Sequence, residues 1–312
     1  LARLIRRRIG KDYRWCIQLQ LGLPEPVRIA AEQRKPMATV HFGWAADIDG
    51  RRVAGIADSA DPGAARLLQL PPEIEAGLAT AADLQGRRDS NRDEIVAKVK
   101  EIDLAPLPEE TREYLSAIRR LPAQHVAISR LHRLCSMLRE ADRVPPWLES
   151  WRKQDRLDWQ ASTHTARRAR NARRDFYRKT ALDIARSYEA VVIELLDLAE
   201  AARKVDETTG ERSDFVRKAR AGRVVAAIYE LESAIRWACT KTGAAVLELT
   251  APTATYCAIC GGTLTADTEQ HQLVRCDGCG AELDRKKNGA AVAWQIAEPE
   301  REDVVEDYHL TA

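Results

Sequence analysis

The sequence predicts an α/β domain interrupted by a helical insertion and joined to a small ribbon built on four cysteines. Three observations carry that expectation. Short apolar runs rich in β-branched residues lie before residue 71 and return near 189 and 245, which is strand patterning. Between them, from about 72 to 188, polar and charged residues dominate at helical spacing and prolines mark the joints. Finally, "CAIC" at 257–260 and "CDGC" at 276–279 place two cysteine pairs fifteen residues apart.

Taken in order, residues 1–35 carry nine basic and three acidic side chains. Inside them "DYRWCIQLQLGLP" alternates like a strand, the end of a preceding β-rich domain followed by a linker. Because the chain begins on leucine, it reads as a piece of a longer protein whose N-terminal portion is missing. "MATVHFGWAADIDGRRVAGIAD" and "AARLLQLP" give three strands, the first two joined at "DIDG" and the third following "DPG". "EAVVIELL" from 189 is a buried strand. "RVVAAIYELESAIRWAC" places Val224, Ile228, Leu231 and Ile235 on one helical face, and "GAAVLELT" is a second buried strand. The close, "AEPEREDVVEDYHLTA", is an acidic tail. The domain plan is therefore 1–35, then 36–250 with a helical insertion at about 72–188, a ribbon at 251–283, a final helix at 284–300 and a tail at 301–312.

Composition bounds the function. With 49 basic and 47 acidic side chains the formal charge is +2, so affinity for a polyanion must come from local clustering. No apolar run approaches the roughly 18 residues of a membrane helix, and the basic start lacks the apolar core of a secretory signal. Seven cysteines, three of them isolated at Cys16, Cys135 and Cys239, argue for a reducing compartment and against a disulfide framework. The isolated three read as small buried hydrophobes.

Cys257, Cys260, Cys276 and Cys279 have the spacing of two zinc knuckles, with Gly261 and Gly280 supplying the turn after each pair. Four thiolates complete a tetrahedral zinc site and leave no position for water, so this metal is structural. His271 lies between the pairs and is not needed as a ligand. So small a ribbon folds on its metal.

"PTATYCAICGG" followed by "CDGCGAELDRKKNGAA" resembles the end of the RuvC nuclease domain of TnpB proteins and type V CRISPR effectors, where a zinc ribbon runs into a D-x-D-x-N-[AG]-A motif. "VVIELLDLA" is similar to the second RuvC motif, and "ATVHFGWAADIDG" stands where the first belongs. The resemblance covers nearly the whole chain. "VHFGW" brings it nearest the type V-M effectors, which lack DNase activity. It implies an RNase H-like fold, a lid at about 210–223, a guide RNA partner, a double-stranded DNA target and a prokaryotic cytoplasm.

Carried over position by position, the catalytic aspartate of the first motif falls on His41, the glutamate on Glu194 and the second aspartate of D-x-D on Lys286. Two-metal cleavage needs carboxylates to hold two divalent cations. Here Glu194, Lys286 and a neutral His41 sum to zero, so magnesium is disfavoured and no catalytic residue is expected to be active. Lys286 is expected to hold Glu194 in a salt bridge. Asp284, Asp197, Asp47 and Asp49 are the candidate substitute acids, with Asp284 favoured as a helix N-cap and Asp47 and Asp49 as turn residues.

For nucleic acid, Arg167, Arg168, Arg170, Arg173 and Arg174 crowd one half of a helix whose other positions, Tyr177, Ala181, Ile184 and Tyr188, form an apolar face. Such a helix is either solvated or lies on a polyanion. Arg217, Lys218 and Arg220 fall where the resemblance puts the lid, and "RLIRRRIGK" could touch guide RNA. The expected function is guide-RNA-directed DNA binding without cleavage, acting by occupancy in antiviral or anti-plasmid defence. The alternatives are a nuclease with residual activity, such as guide-RNA maturation, and a transposon-derived zinc-ribbon DNA-binding protein.

Overall fold

The computed structural model describes residues 2–9, 12–19, 34–47, 50–194, 217–266 and 272–298. The chain divides into two compact units. One gathers Leu1–Leu4, Ile17–Glu75 and Asn171–Ala312, and the other Ile5–Cys16 and Ala76–Arg170.

The first two strands, β1 (Ala2–Ile9) and β2 (Asp12–Leu19), make a two-stranded sheet of their own. The alternation in residues 12–19 foretold the second; the first, "ARLIRRRI", is too basic to have declared itself.

The main sheet has five strands: β3 (Lys35–Asp47), β4 (Gly50–Ala57), β5 (Arg66–Leu70), β6 (Tyr188–Glu194) and β7 (Ala245–Leu249). Their order is β5-β4-β3-β6-β7, antiparallel across β5, β4 and β3 and parallel across β3, β6 and β7. Strand β3 is therefore central, and residues 37–43 are buried on both faces. Parallel neighbours need a crossover on one face, and the whole helical insertion is the crossover from β3, through β4 and β5, to β6.

The insertion comprises α1 (Pro72–Lys100), α2 (Glu109–Arg119), α3 (Ile128–Glu140) and α4 (Pro146–Ser187). In the second unit, Leu115, Ile118, Leu131, Leu134, Leu138 and Leu148 form the centre of the core, each contributing about 1.5–3 kcal/mol on burial. Asp155, buried in that unit, takes Arg88 Nε at 2.9 Å and His132 Nε2 at 2.8 Å. It draws helices α1, α3 and α4 together through one carboxylate. Cys135 and Cys239 are buried, as expected for isolated thiols, but Cys16 on β2 is only half-buried.

One element departs from expectation. The single helix foreseen at 223–239 is two, α5 (Arg217–Ala226) and α6 (Ile228–Thr242), because Ala227 adopts a left-handed conformation with φ 45°. Ile228, Leu231 and Ile235 are buried as the periodicity required, but Val224 is 68% exposed. The break rotates it off the shared face. Breaking a helix leaves carbonyls without partners, and two α4 side chains supply them. Arg173 Nη1 donates to Val224 O and Val225 O at 3.2 and 2.7 Å, and the Tyr177 hydroxyl donates to Ala226 O.

The ribbon is a three-stranded antiparallel sheet, β8 (Leu264–Ala266), β9 (Leu273–Cys276) and β10 (Glu282–Asp284), in the order β10-β9-β8. From β10 the chain enters α7 (Arg285–Ala297). This helix packs directly on β3 and β4 because the sheet is bare beneath it: a side chain at Gly55 would collide with the Lys286 carbonyl. Further along, Ala293 and Ala297 pack with Met37, Ala190 and Val192. The linker and the acidic tail, with Asp49, Asp197 and His271, lie outside the described residues.

Candidate functional site

Strand alternation sends Met37, Thr39, His41 and Gly43 to one face of β3, and α7 runs along that face in register. Thr39 Oγ1 donates to Ala290 O at 2.6 Å. The His41 ring fills the space over Gly289, where a Cβ would lie 2.8 Å from it. A side chain at Gly43 would collide with the Lys286 ammonium. One strand and one helix thus bring His41 and Lys286 to the same pocket. Adjacent β6 adds Glu194 at its last residue, one beyond the Val40–Ile193 pairing.

Within the pocket the pairing differs from expectation. His41 Nδ1 stands 2.5 Å from Glu194 Oε2 and 2.9 Å from Thr253 Oγ1, and all three residues are buried. The partner of Glu194 is therefore His41, and Lys286 is not within ion-pair distance of it. The reason is register: β3 delivers residue 41 beside the end of β6, whereas the first turn of α7 carries Lys286 one strand position further, to Gly43. Burial raises the Glu194 carboxyl, but the contacts from His41 and Thr253 outweigh that and hold it below its ordinary value.

Asp284 is the N-cap of α7. Its Oδ1 accepts from Lys286 N at 2.9 Å and Lys287 N at 3.1 Å, and its other oxygen takes the Arg52 guanidinium from β4. This candidate substitute acid is thus committed on both oxygens. The Asp47 side chain, like those of Arg217, Lys218 and Arg220, lies outside the described residues. Burial and the neighbouring charges of Arg285 and Arg52 push the Lys286 amine down from 10.5 to about 8, against the pull of Asp284 and Glu194.

Beside the pocket, the sulfurs of Cys257, Cys260, Cys276 and Cys279 lie within 4.8 Å of one another. Cys257 and Cys279 are 3.9 Å apart and Cys260 and Cys276 3.4 Å. A metal with bonds of about 2.3 Å to four tetrahedral sulfurs would separate them by roughly 3.8 Å. Backbone amides already point at the sulfurs: Ile259 N to Cys257, Gly262 N to Cys260 and Gly278 N to Cys276, each at 3.4 Å. The Cys279 amide, with Cys260 and Gly278, pulls the Cys276 thiol down against its burial, the state a metal ligand requires. Gly261 and Gly280 turn with φ 73° and 72°, closing each knuckle through amides to Cys257 O and Cys276 O. The donor set and geometry fit a structural metal held by these four cysteines.

Pocket and metal centre are joined by Asn288, fully buried on α7. Its Oδ1 accepts from Ala258 N at 2.9 Å and its Nδ2 donates to Tyr256 O at 2.7 Å. Gln295 Nε2 adds a bond to Ala258 O at 2.7 Å.

The arginines divide. Arg167, Arg168, Arg170 and Arg174 are exposed, as a nucleic-acid contact requires. Arg173 is not: it is 5% exposed, and its guanidinium is held by Glu230 at 3.1 Å as well as by the α5 carbonyls. Tyr177, Ala181 and Ile184 form the buried face of α4, whereas Tyr188, though buried, lies beyond the helix as the first residue of β6. Sequence reasoning missed Arg52 and Thr253, which meet the pocket from separate segments and carry no local signal.

No family model matches the chain. Curated relatives do. A protein from Thermanaerosceptrum fracticalcis named "CRISPR-associated DNA-binding protein Cas12m" is 29% identical over 93% of this chain and 49% of its own length. The chain is thus similar to the Cas12m proteins. Those of Pelobacter propionicus and Allomeiothermus silvanus are 27% and 29% identical, over 92% and 91% of this chain and 43% and 52% of theirs. The chain therefore spans about half the length of the Cas12m proteins it matches. Among solved structures, CasPhi-2 (Cas12j) bound to crRNA aligns with 84% of this chain and 48% of its own, at 16% identity and a TM-score of 0.36. The similarity to the curated Cas12m proteins runs along 91–93% of this chain. No described helix is long and apolar enough to cross a membrane.

Proposed function

We propose that this chain is part of a guide-RNA-directed effector that binds double-stranded DNA without cleaving it and interferes by occupancy, silencing transcription of invading DNA in the prokaryotic cytoplasm. The observation that carries this reading is the internal neutralisation of the pocket. Glu194 is committed to His41, and Asp284 to Arg52 and the α7 amides. Arg52 and Lys286 bring two positive charges beside the carboxylates of Glu194 and Asp284. A magnesium ion prefers several hard oxygen ligands in octahedral geometry. To bind here it must break existing ion pairs and approach an ammonium, so two-metal cleavage has no foothold. The name of the relatives, DNA-binding proteins, agrees with an effector that holds DNA.

In this reading residues 36–250 and α7 form an RNase H-like RuvC core, carrying the helical insertion at about 72–188 and a lid at about 210–223. The metal of the ribbon at 251–283 is zinc, the ion that four thiolates suit best. Arg167, Arg168, Arg170 and Arg174 face the nucleic acid, joined by Arg217, Lys218 and Arg220, while Arg173 serves the fold. Guide pairing supplies target sequence specificity.

The test mixes the full-length protein and its guide RNA with labelled matching duplex and magnesium, resolved on native and denaturing gels. A shifted, uncut duplex is expected. A cut duplex would overturn the charge argument, and cleaved precursor guide RNA would favour the residual-nuclease reading.

A further inference from the structure

Among the described residues, the Lys286 ammonium makes no ion pair of its own, although acids stand in the same pocket. Asp284 spends one oxygen on Arg52 and the other on two backbone amides, and Glu194 Oε2 stands 2.5 Å from His41 Nδ1, which also contacts Thr253 Oγ1. Among the described residues, no carboxylate lies within ion-pair distance of the Lys286 ammonium. A surface lysine without a partner swings into water. This one instead lies over Gly43, in space any side chain on β3 would fill, and keeps only partial exposure. Arg52 stands on the neighbouring strand, and Arg285, exposed, precedes it on α7.

Burying an ammonium, with Arg285 and Arg52 nearby, costs free energy, and the lowered pKa of Lys286 reflects that burial first and the like charges second. A pocket shaped for stability alone would set an acceptor against the ammonium. We infer that Lys286 receives one phosphate of the bound DNA, its ammonium taking directly the charge that metal ions hold in a cleaving enzyme. An ammonium is a compact point charge with three rotatable donors, suited to a phosphate oxygen without bidentate geometry. The inference rests on the DNA-binding reading above and names the contact made at that same pocket.

The test uses the guide-RNA complex of the full-length protein, comparing wild type with Lys286→Met, which keeps the aliphatic stem. Affinity for matching duplex is measured across a salt series, then with a neutral methylphosphonate placed at each position in turn. Lys286→Met should weaken binding roughly tenfold at moderate salt, the worth of one charge-assisted contact. It should also flatten the logarithmic salt dependence by about 0.9. One methylphosphonate position should reproduce that loss in wild type and add nothing to the variant, while guide-RNA affinity stays unchanged. A thermal melt of the variant at or above wild type excludes misfolding as the cause. Equal salt slopes with no position-specific difference would overturn the inference alone, as would a loss confined to guide-RNA binding. Failure of wild type to bind duplex would overturn it together with the reading beneath it.

Discussion

Replacing Lys286 by methionine should stabilise the fold. The amine falls from 10.5 to about 8 in the folded chain. At about 1.4 kcal/mol per tenfold change in proton affinity, that depression corresponds to roughly 3 kcal/mol in a sealed site. Lys286 keeps partial exposure, and solvent screens the penalty, so we expect about 1–2 kcal/mol. The sign follows from proton linkage. Below pH 8 the lysine is charged in both folded and unfolded chains, and folding carries the full penalty. Between about 8 and 10.5 the folded chain sheds the proton before the unfolded one, so wild type gains stability and the advantage of the variant closes. Urea unfolding of both proteins at pH 7 and at pH 10, followed by far-UV circular dichroism, measures the difference directly. A variant less stable than wild type at pH 7 would refute the reasoning, because it would mean the ammonium has a partner that the fold depends on.

Three further outcomes are expected. Asn288→Leu strands the buried Ala258 amide and the part-buried Tyr256 carbonyl in the first knuckle, costing about 2–4 kcal/mol; a melting temperature within a degree of wild type would contradict that. Removing the metal with a strong chelator, or Cys276→Ser, should unfold the ribbon and loosen α7 while leaving the core around Leu131 and Leu138 intact. Hydrogen exchange resolves the two regions, and cobalt substitution should give thiolate charge-transfer absorption. Arg173→Ala should destabilise by about 2–4 kcal/mol by leaving Glu230 and the α5 carbonyls unsatisfied. Arg174→Ala, at an exposed site whose contact with Glu230 is 3.7 Å, should change stability by less than about 0.5 kcal/mol. It should instead flatten the salt dependence of nucleic-acid binding, and equal effects of the two substitutions would refute the division.

The sequence by itself determined the strands of the main sheet, because their apolar runs are local, and the four cysteines with their glycines, because a knuckle is a local turn. It also determined that His41, Glu194 and Lys286 would share one pocket, through the motifs they occupy. It did not determine who pairs with whom. Lys286 was expected to bridge Glu194, yet the register of α7 on β3 sets it over Gly43 and leaves Glu194 to His41. Composition put Arg173 in a cluster of five arginines, and only its position opposite the break at Ala227 turned it inward. The break itself carried no glycine or proline to announce it. Helix periodicity and cysteine spacing are written along the chain, while ion pairing depends on ångström-scale offsets between segments up to 245 residues apart, such as His41 and Lys286. Tertiary packing alone fixes those offsets, and here they separate a pocket that could hold metal from one that neutralises its own acids.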